Sequence, residues 1–432
     1  MTSPVYGQRL VTSRLVHRFN FGPKPGQYTE LLERGVVATQ EAVLQLGPDP
    51  GADAITAPHL PILGPIPEDG STPAGKAFWN AIYTGQNDVV SWWLDRMYAS
   101  DAPLTERMTW FWHGHWATAV SKIFYPRPMY KQNVTLRKYA LANFRDMTRA
   151  MVVDGAFNYW LDNEENYVTS PNENMARELM ELMTLGVNEF SQSDVRAAAR
   201  ALTGYSTNLP TGAVGFDASQ HYNSPITILG TRGKYDAESL ANLLVSREQN
   251  ARYITDRLWF RFVSGTTKAP ASLADAFSER DINSLVHALV YSSAWSNPAN
   301  ALVKSPVEWF IGACRALRVR PSSLNVGNTQ WSLYQMGQIP FNPPNVGGWP
   351  YGQAWLSGVA LQYRFDLAES MVSAADLSPL SVPKSQMVQA CADWLGVPAW
   401  SQRTASTLSS ATGSTSEFIL AALLSPEYVV ST

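Results

Sequence analysis

Cysteine is scarce, with only Cys314 and Cys391 in 432 residues. That excludes a disulfide framework, and a cysteine-built zinc site would need other ligands as well. Charge is scarce too. Asp, Glu, Lys and Arg make up 16% of the chain, against about 25% in an average globular protein. Fewer charges mean less surface repulsion and more buried helix. A basic excess is missing. With a net charge of -3, nothing is left over to neutralise phosphate, which argues against a general binder of nucleic acid or anionic membranes. No apolar run approaches about 18 residues, so no membrane span is expected. The start, Met1-Thr-Ser-Pro-Val-Tyr-Gly7, lacks the charged region and apolar stretch of an export signal. The expectation is therefore a cytoplasmic location, unless a leader was removed or the protein is exported with a partner. Phosphate loops, dinucleotide fingerprints and Gly-x-Ser-x-Gly elbows are also absent.

What is present is helical and aromatic. The hydrophobic fraction of 45% is that of a globular protein, and fifteen tryptophans supply packing groups or stacking platforms for a flat ligand. The expected fold is all-α: one large helical body over residues 1–432, with at most a small β-hairpin near Ile226. Residues 47–75 read as an extended Pro/Gly-rich loop holding the solvated His59. Residues 338–358 form a second Pro/Gly loop carrying Trp349 and Trp355, either a lid or a strap. Residues 365–432 are a C-terminal helical portion. Helices are expected over 74–83, 87–99, 104–122 and 134–153. Cys314 and His287 read as core and helix-flank residues.

The chain is organised around residues 105–204, which hold two of its six histidines. Met108 to Val120 is apolar all round apart from threonines, His113 and His115, so this helix should be buried. A buried imidazole needs partners, because an unpaired polar group in a core costs roughly 1–3 kcal/mol. Positions i and i+2 of a helix point about 200° apart. His113 and His115 can meet one metal only if the chain distorts at Gly114. Each is a candidate ligand, and each is equally a hydrogen-bonded core histidine.

The second half of the stretch is rich in Glu. Ser170, Pro171 and Glu173 fit a capping box. Glu178 lies at the edge of the apolar stripe of Met175, Leu179 and Leu182, which makes it the best inward carboxylate. Glu181 lies further out, at i+4 from Arg177, where an ion pair is the simple expectation. Glu178, Glu181 and Arg177 are the candidate catalytic residues. His113, His115, Glu178 and His221, the last in a polar loop, are the candidate metal ligands. Ser191 and Asp194 should start another helix that ends at Gly204.

Several ordered blocks together resemble the bacterial family known as DUF1800. They are Trp110-Phe-Trp-His-Gly-His-Trp116, Leu136-Arg-Lys-Tyr-Ala-Leu-Ala-Asn-Phe-Arg145, Asn172-Glu-Asn-Met-Ala-Arg-Glu-Leu-Met-Glu-Leu-Met-Thr-Leu-Gly186 and Ala198-Ala-Arg-Ala-Leu-Thr-Gly-Tyr205. Phe262-Val, Ser305-Pro-Val-Glu308 and Pro343-Pro-Asn-Val-Gly-Gly-Trp349 resemble its later blocks. The resemblance implies helical bacterial proteins, often exported and often encoded beside a sulfatase-like partner family, with no settled activity. The chain departs from the family at Gly114, commonly asparagine, and at Tyr222, where the family tends to have aspartate.

Two functions follow. One is a metal-dependent enzyme using iron, manganese, copper or zinc at a His/Glu site, an oxidoreductase before a hydrolase, acting on a small molecule, peptide or glycan. The alternative is a non-catalytic scaffold or binding partner, in which the His/Glu cluster is a structural polar network.

Overall fold

The computed structural model describes residues 4–431. The described chain is mostly helical, with three two-stranded antiparallel pairs. Six helices position the site: α1 (Pro4–Asn20), α2 (Pro73–Ala99), α3 (Leu104–His115), α4 (Glu248–Phe262), α5 (Pro306–Leu317) and α6 (Gly358–Ala374). Strand β1 (Tyr205–Asn208) pairs with β2 (Ala213–Phe216), β3 (Ile226–Ile228) with β4 (Thr231–Gly233), and β5 (Leu302–Val303) with β6 (Val430–Ser431). The expected hairpin near Ile226 is β3–β4. Leu229 and Gly230 turn it with positive φ at both positions, the backbone a tight two-residue hairpin requires. No helix among the described residues is long and apolar enough to cross a membrane.

Helix α3 is the centre of the molecule. Every residue from Leu104 to His115 except Thr105 is buried, because the helix lies between two hydrophobic cores. Met108, Phe111 and Trp112 belong to one, which extends through Phe144, Met183 and Phe262. Trp110 belongs to the other, with Trp93, Phe341, Trp349 and Trp355. A helix apolar all round can satisfy two cores at once.

Several boundaries differ from the sequence expectation. The helix expected over 104–122 stops at His115. Residues 116–119 run outside it, Thr118 bonds Gln132 Oε1 at 2.7 Å, and Val120 N–H donates to Phe341 O at 2.9 Å. The expected pair 74–83 and 87–99 is one helix, α2. The helix expected to begin at residue 134 begins earlier, at Pro126. Pro126 opens the Pro126–Tyr139 helix at a position where a missing N–H costs nothing. The helix expected to reach Val153 is interrupted after Tyr139, because Phe144 and Ile282 N–H groups pair with Arg280 and Ala142 carbonyls. It resumes at Phe144–Met151. The capping box at Ser170 does not form either. Asn172 Oδ1 accepts from Asn174 N–H at 2.9 Å, and the helix starts only at Asn174. The Ser191–Asp194 capping box does form.

Candidate functional site

The two histidines of α3 face different cores. His113 is surrounded by the rings of Trp93, Trp110, Phe341 and Trp349. Its Nε2 accepts from Phe341 N–H at 3.0 Å. An acceptor Nε2 places the ring proton of a neutral imidazole on Nδ1. Phe341 is a buried non-glycine residue with φ of 65°, a conformation that costs about 1–2 kcal/mol. Bonds at both its N–H and its carbonyl hold it there.

His115 lies among Phe111, Trp112, Trp116, Phe144 and Tyr253. Its Nε2–H donates to Met183 O at 2.9 Å. Met183 sits in a π-helical turn, Leu179–Thr184, that continues the Asn174–Glu178 helix. The last carbonyls of a helix have no partner inside it. Here side chains supply them in succession: Tyr253 O–H to Leu182 at 2.6 Å, His115 to Met183, and Asn250 N–H to Thr184 at 2.8 Å. Burial pushes both histidines down to about 3, with the charge of Arg257 adding to the effect at His115. Both are therefore neutral at physiological pH.

The other candidates lie elsewhere. His221 Nδ1 bonds Thr203 O at 2.9 Å, and its ring packs on Phe216. Glu178 is half-buried, with no hydrogen bond or ion pair among the described residues. Burial, and then the charge of Glu181, raises its carboxyl. Arg177 bonds Glu173 at 2.9 Å and Gln192 at 2.8 Å, so the pair expected with Glu181 is replaced by one with Glu173. No three or more His, Cys, Asp or Glu side chains come together to hold a metal ion among the described residues. His113, His115, Glu178 and His221 are not drawn into such a group. The helix stays regular through Gly114, and the two imidazoles keep the opposed directions that regular geometry gives them.

The third face of α3 carries what the histidine pattern concealed. Arg107, Trp110, Phe111 and Gly114 stand at i, i+3, i+4 and i+7, and together they line a cavity of about 90 Å³. The 340–355 segment covers it as a packed strap. Trp349 stacks on Trp110 with centroids 4.9 Å apart, and Trp355 is buried. Gly348, at φ of 86°, brings the strap against α3. A Cβ there would lie 2.4 Å from Gly114 O, which is why glycine is needed. A Cβ on Gly114 would meet Trp349 at 3.6 Å and Arg261 Nη2 at 3.9 Å, ordinary contact distances, so a methyl group fits there.

The cavity wall is cationic. Arg18, Arg107, Arg261 and Lys304 line it, against the single carboxylate of Glu308. Arg18 is fully engaged. Its guanidinium donates to the carbonyls of Phe262, Val263, Asn300 and Ser431, and to Ser431 Oγ. Arg107 donates to Arg18 O and pairs with Glu308. Burial raises the Glu308 carboxyl, but Arg107, the Ser305 hydrogen bonds and Arg261 together outweigh this and hold it below its usual value. Glu308 also closes the capping box that Ser305 makes at the start of α5. Arg261 and Lys304 have no hydrogen bond or ion pair among the described residues. Lys304 is 6% exposed, with Nζ 3.8 Å over the Tyr428 ring. Burial lowers both: Arg261 to about 10, with Arg257 adding to the effect, and Lys304 well below its usual value.

Sequence reasoning passed over every charged residue of this wall. A signal was available. Arg107 shares a face with Gly114, and Arg257 and Arg261 stand four apart on α4.

No curated protein and no solved structure matches the chain. The family described as protein of unknown function, DUF1800, matches residues 14–430, a span that takes in α3, the strap and the whole cavity wall except Ser431. The chain belongs to the DUF1800 family.

Proposed function

We propose that the chain is a small-ligand-binding protein whose site is the cavity under the strap, with His113 and His115 as fixed structural supports. One observation carries this reading. On a single buried helix, Arg107, Trp110, Phe111 and Gly114 line the cavity, while His113 holds the strap backbone and His115 caps a neighbouring turn. Ligand sites are concave, largely apolar and furnished with a few polar groups, and Trp110, Trp349 and Trp355 beside Arg261 and Lys304 meet that description. The test is native mass spectrometry of freshly purified protein together with a thermal-shift screen of small molecules. Gly114→Leu, which fills the cavity from its floor, should abolish both the bound mass and the stabilisation, whereas Gly114→Ala should retain them. If Gly114→Leu keeps full binding, the site is elsewhere.

A second reading, metal-dependent oxidation with iron, manganese, copper or zinc, has one observation in its favour. Nδ1 of each α3 histidine is buried without a partner, and the Glu178 carboxylate is unpaired. Elemental analysis of protein purified without chelator tests it. Stoichiometric metal that disappears in both His113→Ala and Glu178→Ala would establish this reading over the first.

A further inference from the structure

The cavity wall is out of electrostatic balance. Four cationic side chains face one carboxylate, in a chain whose overall charge is -3. Two of the four are already used by the fold. Arg18 ties the end of α4 to β6 through carbonyl groups, and Arg107 is spent on Glu308 and Arg18 O. Arg261 and Lys304 remain. Neither is needed to close a hydrogen bond, and burying an unpaired cation is costly. Arg257 stands one turn before Arg261 on α4, and like charges at i, i+4 repel. A structural role would have drawn carboxylates to these groups, as it has at Glu106 elsewhere on α3. Here only Glu308 acts on them, and its carboxylate is already bonded to Arg107.

The size and shape point the same way. At about 90 Å³, the cavity is smaller than the ~150 Å³ cavity that accepts benzene and is of a size for a small oxyanion head group. The Arg261 guanidinium lies beside Gly114, with Nη2 3.9 Å from where a Cβ would stand, next to the Trp349 ring. A planar guanidinium presents two parallel N–H groups to an oxyanion, and an ammonium adds a compact point charge. Gln338, whose Oε1 accepts from Val307 N–H at 3.1 Å, also lines the wall. At the rim Tyr351 is exposed, its ring edge-on to Phe260 at 4.3 Å, leaving an aromatic surface beside the opening.

We propose that the cavity is an oxyanion site in which Arg261 and Lys304 bind a phosphate, sulfate or carboxylate group, while Arg107 and Arg18 stay fixed behind them. This rests on the ligand-binding reading above and names its ligand class. The ion can be free, or it can be the head group of a larger molecule whose remainder lies against Tyr351 and Phe260.

Isothermal titration calorimetry of the full chain tests this with sodium phosphate, sodium sulfate, sodium acetate and phenyl phosphate, with choline chloride as a cationic control. At least one anion should bind, and more weakly as ionic strength rises. Arg261→Gln and Lys304→Gln should each weaken binding about tenfold or more. Without anion, neither variant should melt below wild type, since each removes an uncompensated buried charge. Arg252→Gln, at an exposed ion pair with Glu248, should bind as wild type. Phenyl phosphate binding more tightly than phosphate identifies a head group, and equal binding identifies a free ion. The proposal is overturned if no anion binds, if both variants bind as wild type, or if both melt substantially lower, which would make the cations structural. If choline or a neutral compound binds in a manner that Gly114→Leu abolishes while anions do not, the oxyanion assignment falls and the pocket stands. If no compound binds and Gly114→Leu changes nothing, both fall together.

Discussion

Glu106 and Arg107 are neighbours on one buried helix, yet their surroundings differ in kind. Around Glu106 every charge is answered. Its Oε1 accepts from Arg96 Nε at 2.9 Å and Arg137 Nε at 2.7 Å. Its Oε2 accepts from Arg137 Nη2 at 2.9 Å and Trp93 Nε1 at 3.0 Å. Burial pushes the carboxyl up, but Arg137 and then Arg96 outweigh it and keep it below its usual value. Around Arg107 the balance is uneven, with the half-buried Arg261 and the buried Lys304 sharing one carboxylate, Glu308, that Arg107 already holds. A buried charge cluster that is fully paired can be explained by folding alone. One that lacks its counter-charge asks for something from outside the chain. That difference separates the closed cluster of α3 from the face on which the proposed site lies.

The sharpest way to break the comparison is at the paired cluster. Glu106→Gln puts an amide N–H₂ among four donors, leaves Arg137 without its carboxylate and leaves Arg96 only the longer pair with Asp53. Breaking a buried pair on one side costs about 3–5 kcal/mol, so chemical denaturation should show a loss of that order. The contrast with Lys304→Gln, which should cost nothing without anion, is the decisive one. Equal losses in the two variants would erase the distinction between paired and open clusters.

The next effect concerns the histidines, which the structure treats as neutral parts of the core. Their folded values of about 3 lie below the ordinary value of about 6.5. The unfolded chain therefore takes up protons that the folded chain refuses, and stability falls as pH drops from about 6.5 toward 3. Between pH 7 and 5 each histidine should contribute about 2 kcal/mol of loss. Denaturation midpoints measured across that range in wild type and His115→Gln should differ in slope by one histidine's share. Parallel curves would mean that His115 is already charged or accessible in the folded state.

Much of the architecture was legible in the sequence because it depends on periodicity. The burial of α3 follows from its lack of a polar face, and the opposition of His113 and His115 follows from helical angles alone. The Ser191–Asp194 cap and the β3–β4 hairpin were readable from local residues. The strap's role was not, because Phe341 and Trp349 meet His113 and Trp110 from more than 200 residues away. The cationic cavity was not legible for a related reason. Histidine draws the eye as a ligand, whereas Arg18, Lys304 and Glu308 acquire meaning only when β5–β6 and the end of α4 bring them to Arg107. Helix boundaries failed wherever a backbone N–H found a long-range partner in place of its own helix, as at Val120 and Phe144.

A smaller effect sharpens the link between strap and cavity. Gly348→Ala places a Cβ 2.4 Å from Gly114 O at a positive φ, so the strap must shift. The cost should be about 1–3 kcal/mol, and near-ultraviolet circular dichroism should report altered Trp110–Trp349 stacking. Gly114→Ala, whose Cβ meets only ordinary contacts, should leave the spectrum unchanged. If the two variants behave alike, the close approach at Gly348 does not set the strap's position.

The smallest effect is expected at Arg177, although the sequence placed it among the catalytic candidates. Its partner is Glu173, and both side chains are about a third exposed, at 38% and 33%. Such a pair is worth less than about 1 kcal/mol, because water screens it and two long side chains must be ordered to form it. Arg177→Ala should therefore leave the denaturation midpoint and every binding isotherm at the cavity within error of wild type. The value of the measurement lies in its asymmetry. A null result adds little to what exposure already implies. A large loss of binding or of bound metal would move the functional centre from the Arg107 face of α3 to the half-buried Glu178 and Glu181 beside Arg177, and it would make the unpaired carboxylate, rather than the unpaired cations, the open cluster of this molecule.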